Sequence, residues 1–223
     1  MGDTAHVTAN GNIKYGLIDG HVGYLSLLSM EDFAPGDDDD AAALEQALDQ
    51  AMALFEGAKA VIVDVSTNDG GEDVLARAIA ARFAAERTLV YSKSAGDAPG
   101  AHPQPIFLEP SPRPRYTGPV YLLTSNVTVS AAEIFSMAMR ALPNVTHVGQ
   151  RTRGSLSDVL TKRLPNGWFV TLSNEVYLDG AGKGWEGLGI PPTVPVAVFT
   201  GQDKDDAAVS HERAVRGIVA GVE

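Results

Sequence analysis

Short apolar runs alternate along the first two thirds of the chain with segments whose apolar residues recur every three or four positions. The runs predict buried strands, and the wider spacing predicts helices with one apolar face. The predicted strands lie at 22–28, 60–65, 88–92, 120–123 and 146–149, and the predicted helices lie at 41–55, from Glu72, after Ser130 and at 203–219. Strands that alternate with helices indicate an α/β fold whose sheet is at least partly parallel.

The last third of the chain is predicted to be rich in hairpins. Two β-capable runs, 159–164 and 168–172, flank Pro165-Asn166-Gly167, which is a strong hairpin signal. Residues 95–118 form a proline-rich connection of the kind that often serves as a binding surface, lid or arm. We therefore expect a polar lead-in at 1–15, one core domain at 16–200, and a C-terminal helix within 201–223 that packs on the core.

The composition narrows the classes of function. The chain has 223 residues, 44% hydrophobic content and a net charge of −11, so it can bury one large core but is not suited to an extended nucleic-acid surface. It has no cysteine, which excludes disulfides, thiolate metal sites and a cysteine nucleophile. No apolar segment is long enough to span a bilayer. Homo-oligomerisation and compartment stay open, and an upstream export signal would imply a periplasmic or extracellular location.

Four aspartates at 37–40 precede a predicted helix, where they suit the positive end of its dipole. A calcium site is the alternative interpretation, but the spacing and the closing glutamate of a calcium-binding loop are missing. We expect no metal and no organic cofactor.

Ser130 is the residue with the most chemical interest, because it lies where a strand and a short polar turn lead into a helix. One interpretation is a capping box, in which Ser130 bonds the third helical amide and Glu133 bonds back. The other is a nucleophile whose oxyanion the Ala131 amide would bind. The local pattern alone favours the cap.

Asp69-Gly70-Gly71 forms a similar turn between an earlier strand and helix. Such a turn can cradle an anion, although most glycine pairs of this kind only make tight turns. The glycine-rich signatures of nucleotide-binding proteins are absent from the chain.

Four segments resemble those of one enzyme family and occur in that family's order. Residues 61–71 (VIVDVSTNDGG) resemble its D-x-R-x-N-x-G-G segment, and residues 117–134 resemble its nucleophile segment. Residues 148–154 (VGQRTRG) resemble V-G-x-x-T-x-G, and residues 185–192 (WEGLGIPP) resemble Y-E-G-x-G-x-x-P-D. Over roughly residues 16–196 the chain thus resembles the tail-specific, or C-terminal-processing, serine proteases.

This resemblance implies a ClpP/crotonase-like spiral of strand-turn-helix units. It implies that Ser130 is the nucleophile and that amides of Ala131 and of the Gly70-Gly71 turn form the oxyanion hole. The implied activity is serine endopeptidase cleavage of unfolded or C-terminal polypeptide segments by acyl transfer, so the expected partner is a polypeptide substrate.

The main departure from the family pattern concerns the general base. The lysine of the bacterial processing enzymes is replaced by Ser155, so the chain resembles the tricorn-like branch, in which a histidine is the base and a glutamate, here Glu186, completes the site. That branch carries its histidine upstream of the core, and His21 is the alternative within this chain. Ser66 replaces an arginine and Thr193 an aspartate, which permits a degenerate member.

Two rival functions therefore remain. The first is a non-catalytic binding module that holds a hydrophobic ligand or a peptide on the same scaffold. The second, a crotonase-like acyl-CoA enzyme, shares the oxyanion chemistry but leaves Ser130 and Glu186 without a purpose.

Overall fold

The structure, a computed structural model, describes residues 5–36, 39–96, 100–200 and 204–222. Its centre is a seven-stranded mixed sheet in the spatial order β1-β2-β3-β4-β7-β8-β12. These strands are His6–Thr8 (β1), Ile13–Ile18 (β2), Val22–Leu27 (β3), Ala60–Asp64 (β4), Val120–Thr124 (β7), Val145–Gly149 (β8) and Val194–Pro195 (β12). From β3 to β12 all neighbours in the sheet are parallel. At the other edge, β2 pairs antiparallel with both β1 and β3.

Four helices cover the two faces of this sheet. They are Asp40–Leu54 (α1), Asp73–Ala81 (α2), Ala131–Arg140 (α3) and Lys204–Ala220 (α4). The first three share one apolar core, while α4 packs in a second core on the other face through residues such as Val215 and Ile218. The prediction of an α/β fold of strand-turn-helix units is confirmed, and none of these helices among the described residues is long and apolar enough to cross a membrane.

A second, three-stranded antiparallel sheet contains β11 (Glu175–Asp179), β5 (Thr88–Ala95) and β6 (Gln104–Leu108) in that order. The predicted hairpin is also present, as β9 (Val159–Arg163) and β10 (Phe169–Ser173). Strand β6 lies inside the connection that was predicted to be a proline-rich loop. It accommodates Pro105 because it is an edge strand, where a missing amide donor costs little.

The beginning of the chain also differs from the prediction of a polar lead-in. Residues 6–15 include β1 and the start of β2, and Ile13 and Tyr15 are buried on either side of the exposed Lys14. This alternation is the period-two pattern of a half-buried strand. The lead-in residues 1–4, Asp37, Asp38, Pro99 and Asp203 lie outside the described residues, whereas Asp39 caps α1 by accepting the Ala42 amide at 3.1 Å.

Parallel pairing determines where the turns meet. Because β3, β4 and β7 run in one direction, the turns after their carboxyl ends lie at the same edge of the sheet. The glycine turn after β4 therefore lies against the turn that carries Ser130 after β7.

Candidate active site

Ser130 occupies an unusual backbone conformation immediately before α3, with φ 58° and ψ −130°. Positive φ is unfavourable for any residue with a Cβ atom. Its side chain makes no capping hydrogen bond, so the interpretation of the Ser130 hydroxyl as a helix cap is wrong, although Glu133 does interact with the Ser130 backbone. The Ser130 hydroxyl has no hydrogen-bond partner among the described residues, which leaves it available to a substrate.

The turn that holds Ser130 is anchored to the end of β4 by side chains of its own. The Ser125 hydroxyl donates to the Ser66 carbonyl at 2.5 Å, and the Thr128 hydroxyl donates to the Val65 carbonyl at 2.8 Å. Thr128 also accepts the Ser125 amide at 3.0 Å. These buried bonds maintain the strained geometry at Ser130.

The glycine turn is shaped by Asn68, which is fully buried. Its side chain donates to the Leu27 carbonyl at 3.0 Å and accepts the Gly70 amide at 2.9 Å. A Cβ atom at Gly70 would lie 2.7 Å from the Ser130 Cβ, and one at Gly71 would lie 2.5 Å from the backbone of Met30. Both glycines have positive φ, at 106° and 135°, so neither position accepts a side chain.

Two backbone amides beside Ser130 have no acceptor among the described residues, those of Gly71 and Ala131. The Gly70 amide, in contrast, is bound to Asn68. The expected oxyanion hole of Gly70, Gly71 and Ala131 therefore narrows to Gly71 and Ala131 as donors, and Gly70 contributes only the close approach to the serine.

Glu133 has a structural role that the sequence pattern did not reveal. Its carboxylate is fully buried and accepts the Thr152 hydroxyl at 2.5 Å and the Gly154 and Ser155 amides at 2.7 Å each. Burial raises the pKa of Glu133, and these hydrogen bonds oppose the rise. They fix the turn whose Ser155 carbonyl accepts the Ser130 amide at 2.9 Å. The sequence did offer a signal for this role, which is an acidic residue among the mostly apolar residues of a predicted helix.

Glu186 supports the same segment from its other side. It is exposed, and its Oε2 atom accepts the Leu156 amide at 2.8 Å and the Ser157 amide at 2.9 Å. No hydrogen bond joins Glu186 to Ser130. Glu186 thus holds the backbone that follows Ser155.

The cleft in front of Ser130 is lined by residues of the glycine turn, of α2, of the segment after Ser155 and of β11. They are Gly71, Glu72, Asp73, Val74, Leu156, Asp158 and Tyr177. Burial raises the pKa of Asp73, whose Oδ2 atom lies 2.9 Å from the Tyr177 hydroxyl. No histidine is among the described residues that line this cleft.

His21 lies at the opposite end of the sheet from Ser130. It precedes β3, its Nδ1 atom lies 2.8 Å from the Asp19 carbonyl, and Leu27 at the far end of β3 contacts Asn68. The six residues of β3 separate these ends by about 17 Å, since a strand rises about 3.3 Å per residue. The hypothesis that His21 supplies the base is therefore wrong.

Two other histidines are committed to partners elsewhere. His147 is buried with its Nε2 atom 2.7 Å from the Thr124 hydroxyl, and desolvation lowers its pKa to about 3. His211, which lies on α4, was predicted to be exposed. Its Nε2 atom instead lies 2.6 Å from Asp64, on the face of the sheet opposite to α3.

Comparison with known proteins identifies the family. The sequence model described as peptidase family S41 matches residues 21–196. The chain belongs to peptidase family S41. This range contains the Ser130 turn, the glycine turn and Glu186.

Several solved structures share the fold. A putative peptidase from Parabacteroides merdae is 31% identical, with a TM-score of 0.80 over 99% of this chain and 67% of its own. Mature CPAF complexed with lactacystin is 14% identical, with a TM-score of 0.74 over 98% and 54%. The photosystem II D1 C-terminal processing protease is 20% identical, with a TM-score of 0.64 over 86% and 47%. The chain thus spans between about half and two thirds of the length of these three proteins.

Proposed function

We propose that this chain is the core of a serine endopeptidase that cleaves unfolded or C-terminal polypeptide segments by acyl transfer. The observation that carries the proposal is the Ser130 hydroxyl, which lacks a partner among the described residues and projects from a strained turn between the unpaired amides of Gly71 and Ala131. Membership of peptidase family S41 supports the same chemistry.

In the proposed reaction, the Ser130 Oγ atom attacks the carbonyl carbon of the scissile peptide bond. The carbonyl oxygen becomes an oxyanion and accepts hydrogen bonds from the Gly71 and Ala131 amides, which need no reorganisation because no other described group occupies them. Collapse of the intermediate breaks the C–N bond, the amine leaves with a proton, and water then hydrolyses the acyl-serine.

The reaction needs a group that accepts the Ser130 proton and passes it to the leaving amine. We assign this role to a histidine from a segment upstream of residue 1, as the tricorn-like resemblance implies. The absence of a histidine from the described lining of the cleft agrees with that assignment. Glu186 orients the site through the 156–157 backbone that it holds. Without the base the chain should react slowly, because an unassisted serine hydroxyl is a weak nucleophile.

The test is labelling with a fluorophosphonate probe followed by peptide mass mapping. It is applied to this chain and to a longer protein that carries the upstream segment, with Ser130→Ala of each as the control. We expect Ser130 to be labelled at least about a hundredfold faster in the longer protein, since a positioned general base contributes about that much to the rate.

Equal labelling of both proteins would assign the base to this chain. Absence of label from Ser130 in both would refute the nucleophile and favour the binding module.

A further inference from the structure

The hairpin formed by β9 and β10 carries large apolar side chains that no described residue covers. Every residue of both strands is exposed. Trp168 is 73% exposed and Leu172 is 52% exposed, although soluble proteins rarely leave apolar side chains clustered in water.

These side chains are divided unequally between the two faces of the hairpin. The register pairs Leu160 with Leu172 and Lys162 with Val170, and the Leu164 amide donates to the Trp168 carbonyl at 2.7 Å. Cross-strand partners project to the same face of a sheet. One face therefore carries Leu160, Leu164, Trp168, Val170 and Leu172 around the single charge of Lys162, and we call the five apolar residues the apolar face.

The opposite face is mostly polar. It pairs Val159 with Ser173, Thr161 with Thr171 and Arg163 with Phe169. An amphipathic ribbon of two strands is marginally stable by itself in water. The apolar face therefore has the character of a surface that binds another chain.

The hairpin is joined directly to the cleft of Ser130. Asp158 lines the cleft, and β9 begins at the next residue. The connecting segment is fixed at one end by the bond from the Ser130 amide to the Ser155 carbonyl. At the other end the Asn174 amide donates to the Asp158 carbonyl at 3.2 Å. The base of the hairpin thus adjoins the cleft of Ser130.

We propose that the apolar face is a docking surface for an extended, apolar segment of the polypeptide substrate. The proposal rests on the peptidase function above and adds the class of sequence that the enzyme would prefer. Val159 lies four positions after Ser155, a span of at most about 13 Å, so the docked segment begins within about four residues of the bond at Ser130.

The unpaired edges of β9 and β10 suit an extended segment of the substrate. The ribbon contains only β9 and β10, so each strand has one edge without a pairing partner among the described residues. An extended segment can add to such an edge through its backbone and place alternate side chains on the apolar face. A folded substrate offers no free backbone for this pairing, which fits the preference for unfolded chains.

Trp168 provides a direct measurement of docking. The other tryptophan, Trp185, is 7% exposed, so a change in exposure to water affects mainly the emission of Trp168. The experiment titrates the Ser130→Ala protein, which cannot cleave, with an extended peptide of about twelve residues that has leucine at alternate positions. A matched peptide with serine at those positions is the control. A saturable blue shift with the leucine peptide alone is expected.

A pair of hairpin variants locates the binding. Leu160→Thr/Leu172→Thr alters the apolar face, and Val159→Thr/Phe169→Thr alters the opposite face, while threonine keeps a high strand propensity. We expect the first pair to weaken binding of the leucine peptide about tenfold and the second pair to change it less than about twofold, where tenfold corresponds to about 1.4 kcal/mol.

Equal effects of the two variants, or no saturable shift, would overturn the docking proposal. A blue shift that grows with protein concentration in the absence of peptide would also overturn it, because a second copy of the chain would then cover the apolar face. Failure of the peptidase function is distinguishable: it would abolish probe labelling of Ser130 in the longer protein but leave peptide binding to Ser130→Ala intact.

Discussion

Comparison of Ser130→Gly with Ser130→Ala tests whether the site stores backbone strain. Ser130 has φ 58° and ψ −130°, and such conformations cost a residue with a Cβ atom about 1–3 kcal/mol. Both substitutions remove a hydroxyl that has no partner among the described residues, so this loss costs both variants little. Alanine retains the Cβ atom and hence the strain, whereas glycine adopts this region freely.

The expected difference follows from two opposing terms. Relief of strain favours the glycine variant by about 1–3 kcal/mol, and the greater freedom of glycine in the unfolded chain costs about 0.5–1 kcal/mol. Ser130→Gly should therefore be more stable than Ser130→Ala by about 1 kcal/mol, which for a chain of this size raises Tm by about 2–4 °C.

The assay is urea and thermal unfolding of both variants followed by circular dichroism, with probe labelling as the check that both have lost the nucleophile. If the glycine variant is no more stable than the alanine variant, the backbone at Ser130 is not strained. The inference that the fold holds this serine in place for a reaction would then lose its energetic support.

Three further predictions concern residues around the site and the core. Glu186→Ala should slow labelling of Ser130 in the longer protein at least about tenfold while lowering the free energy of unfolding by only about 1 kcal/mol, because an exposed acceptor is lost; an unchanged labelling rate would contradict its role. The hydrogen bond to Asp64 raises the pKa of His211 above 6.5, so the stabilisation by this pair is complete below pH 6.5 and is lost as the pH rises through the raised pKa. As the pH rises above 6.5, the free energy of unfolding should thus fall more steeply in the parent than in His211→Gln. Parallel curves of this free energy against pH would show that protonation of His211 does not stabilise the fold. Arg82→Met should lower the free energy of unfolding by roughly 2 kcal/mol without changing the labelling rate of the folded protein, because Glu45 and Asp49 lose their ion pairs with the buried guanidinium and keep only those with the more exposed Arg113.

The strands and helices around the site could be predicted because their signals are local. The buried strands β4 and β7 are nearly continuous apolar runs, and the positions of α2 and α3 follow from apolar residues at helical spacing. Strands β1, β2, β6, β11 and β12 were not predicted. Their sequences carry weak or interrupted strand patterns, and pairing with other strands stabilises them rather than their own composition.

Interactions between distant positions account for the main errors in single residues. Glu133 has the spacing of a capping-box partner and does interact with the Ser130 backbone, but it also accepts hydrogen bonds from Thr152, Gly154 and Ser155, far along the chain. His211 lies on a helix that looks polar in sequence, but its ring meets Asp64, which is 147 positions away. No local pattern contains either pairing.

The N-x-G-G segment shows how far a motif can be interpreted before its geometry is known. The sequence implied that the turn needs residues without side chains, and both glycines do exclude a Cβ atom. They do so for different reasons, because Gly70 faces the Ser130 side chain and Gly71 faces the Met30 backbone. Only the side chain of Asn68 distinguishes their amides, since it binds that of Gly70 and leaves that of Gly71 available to the proposed oxyanion. The asparagine therefore determines which glycine amide can stabilise an oxyanion, and its substitution should disturb the site even though it never touches the substrate.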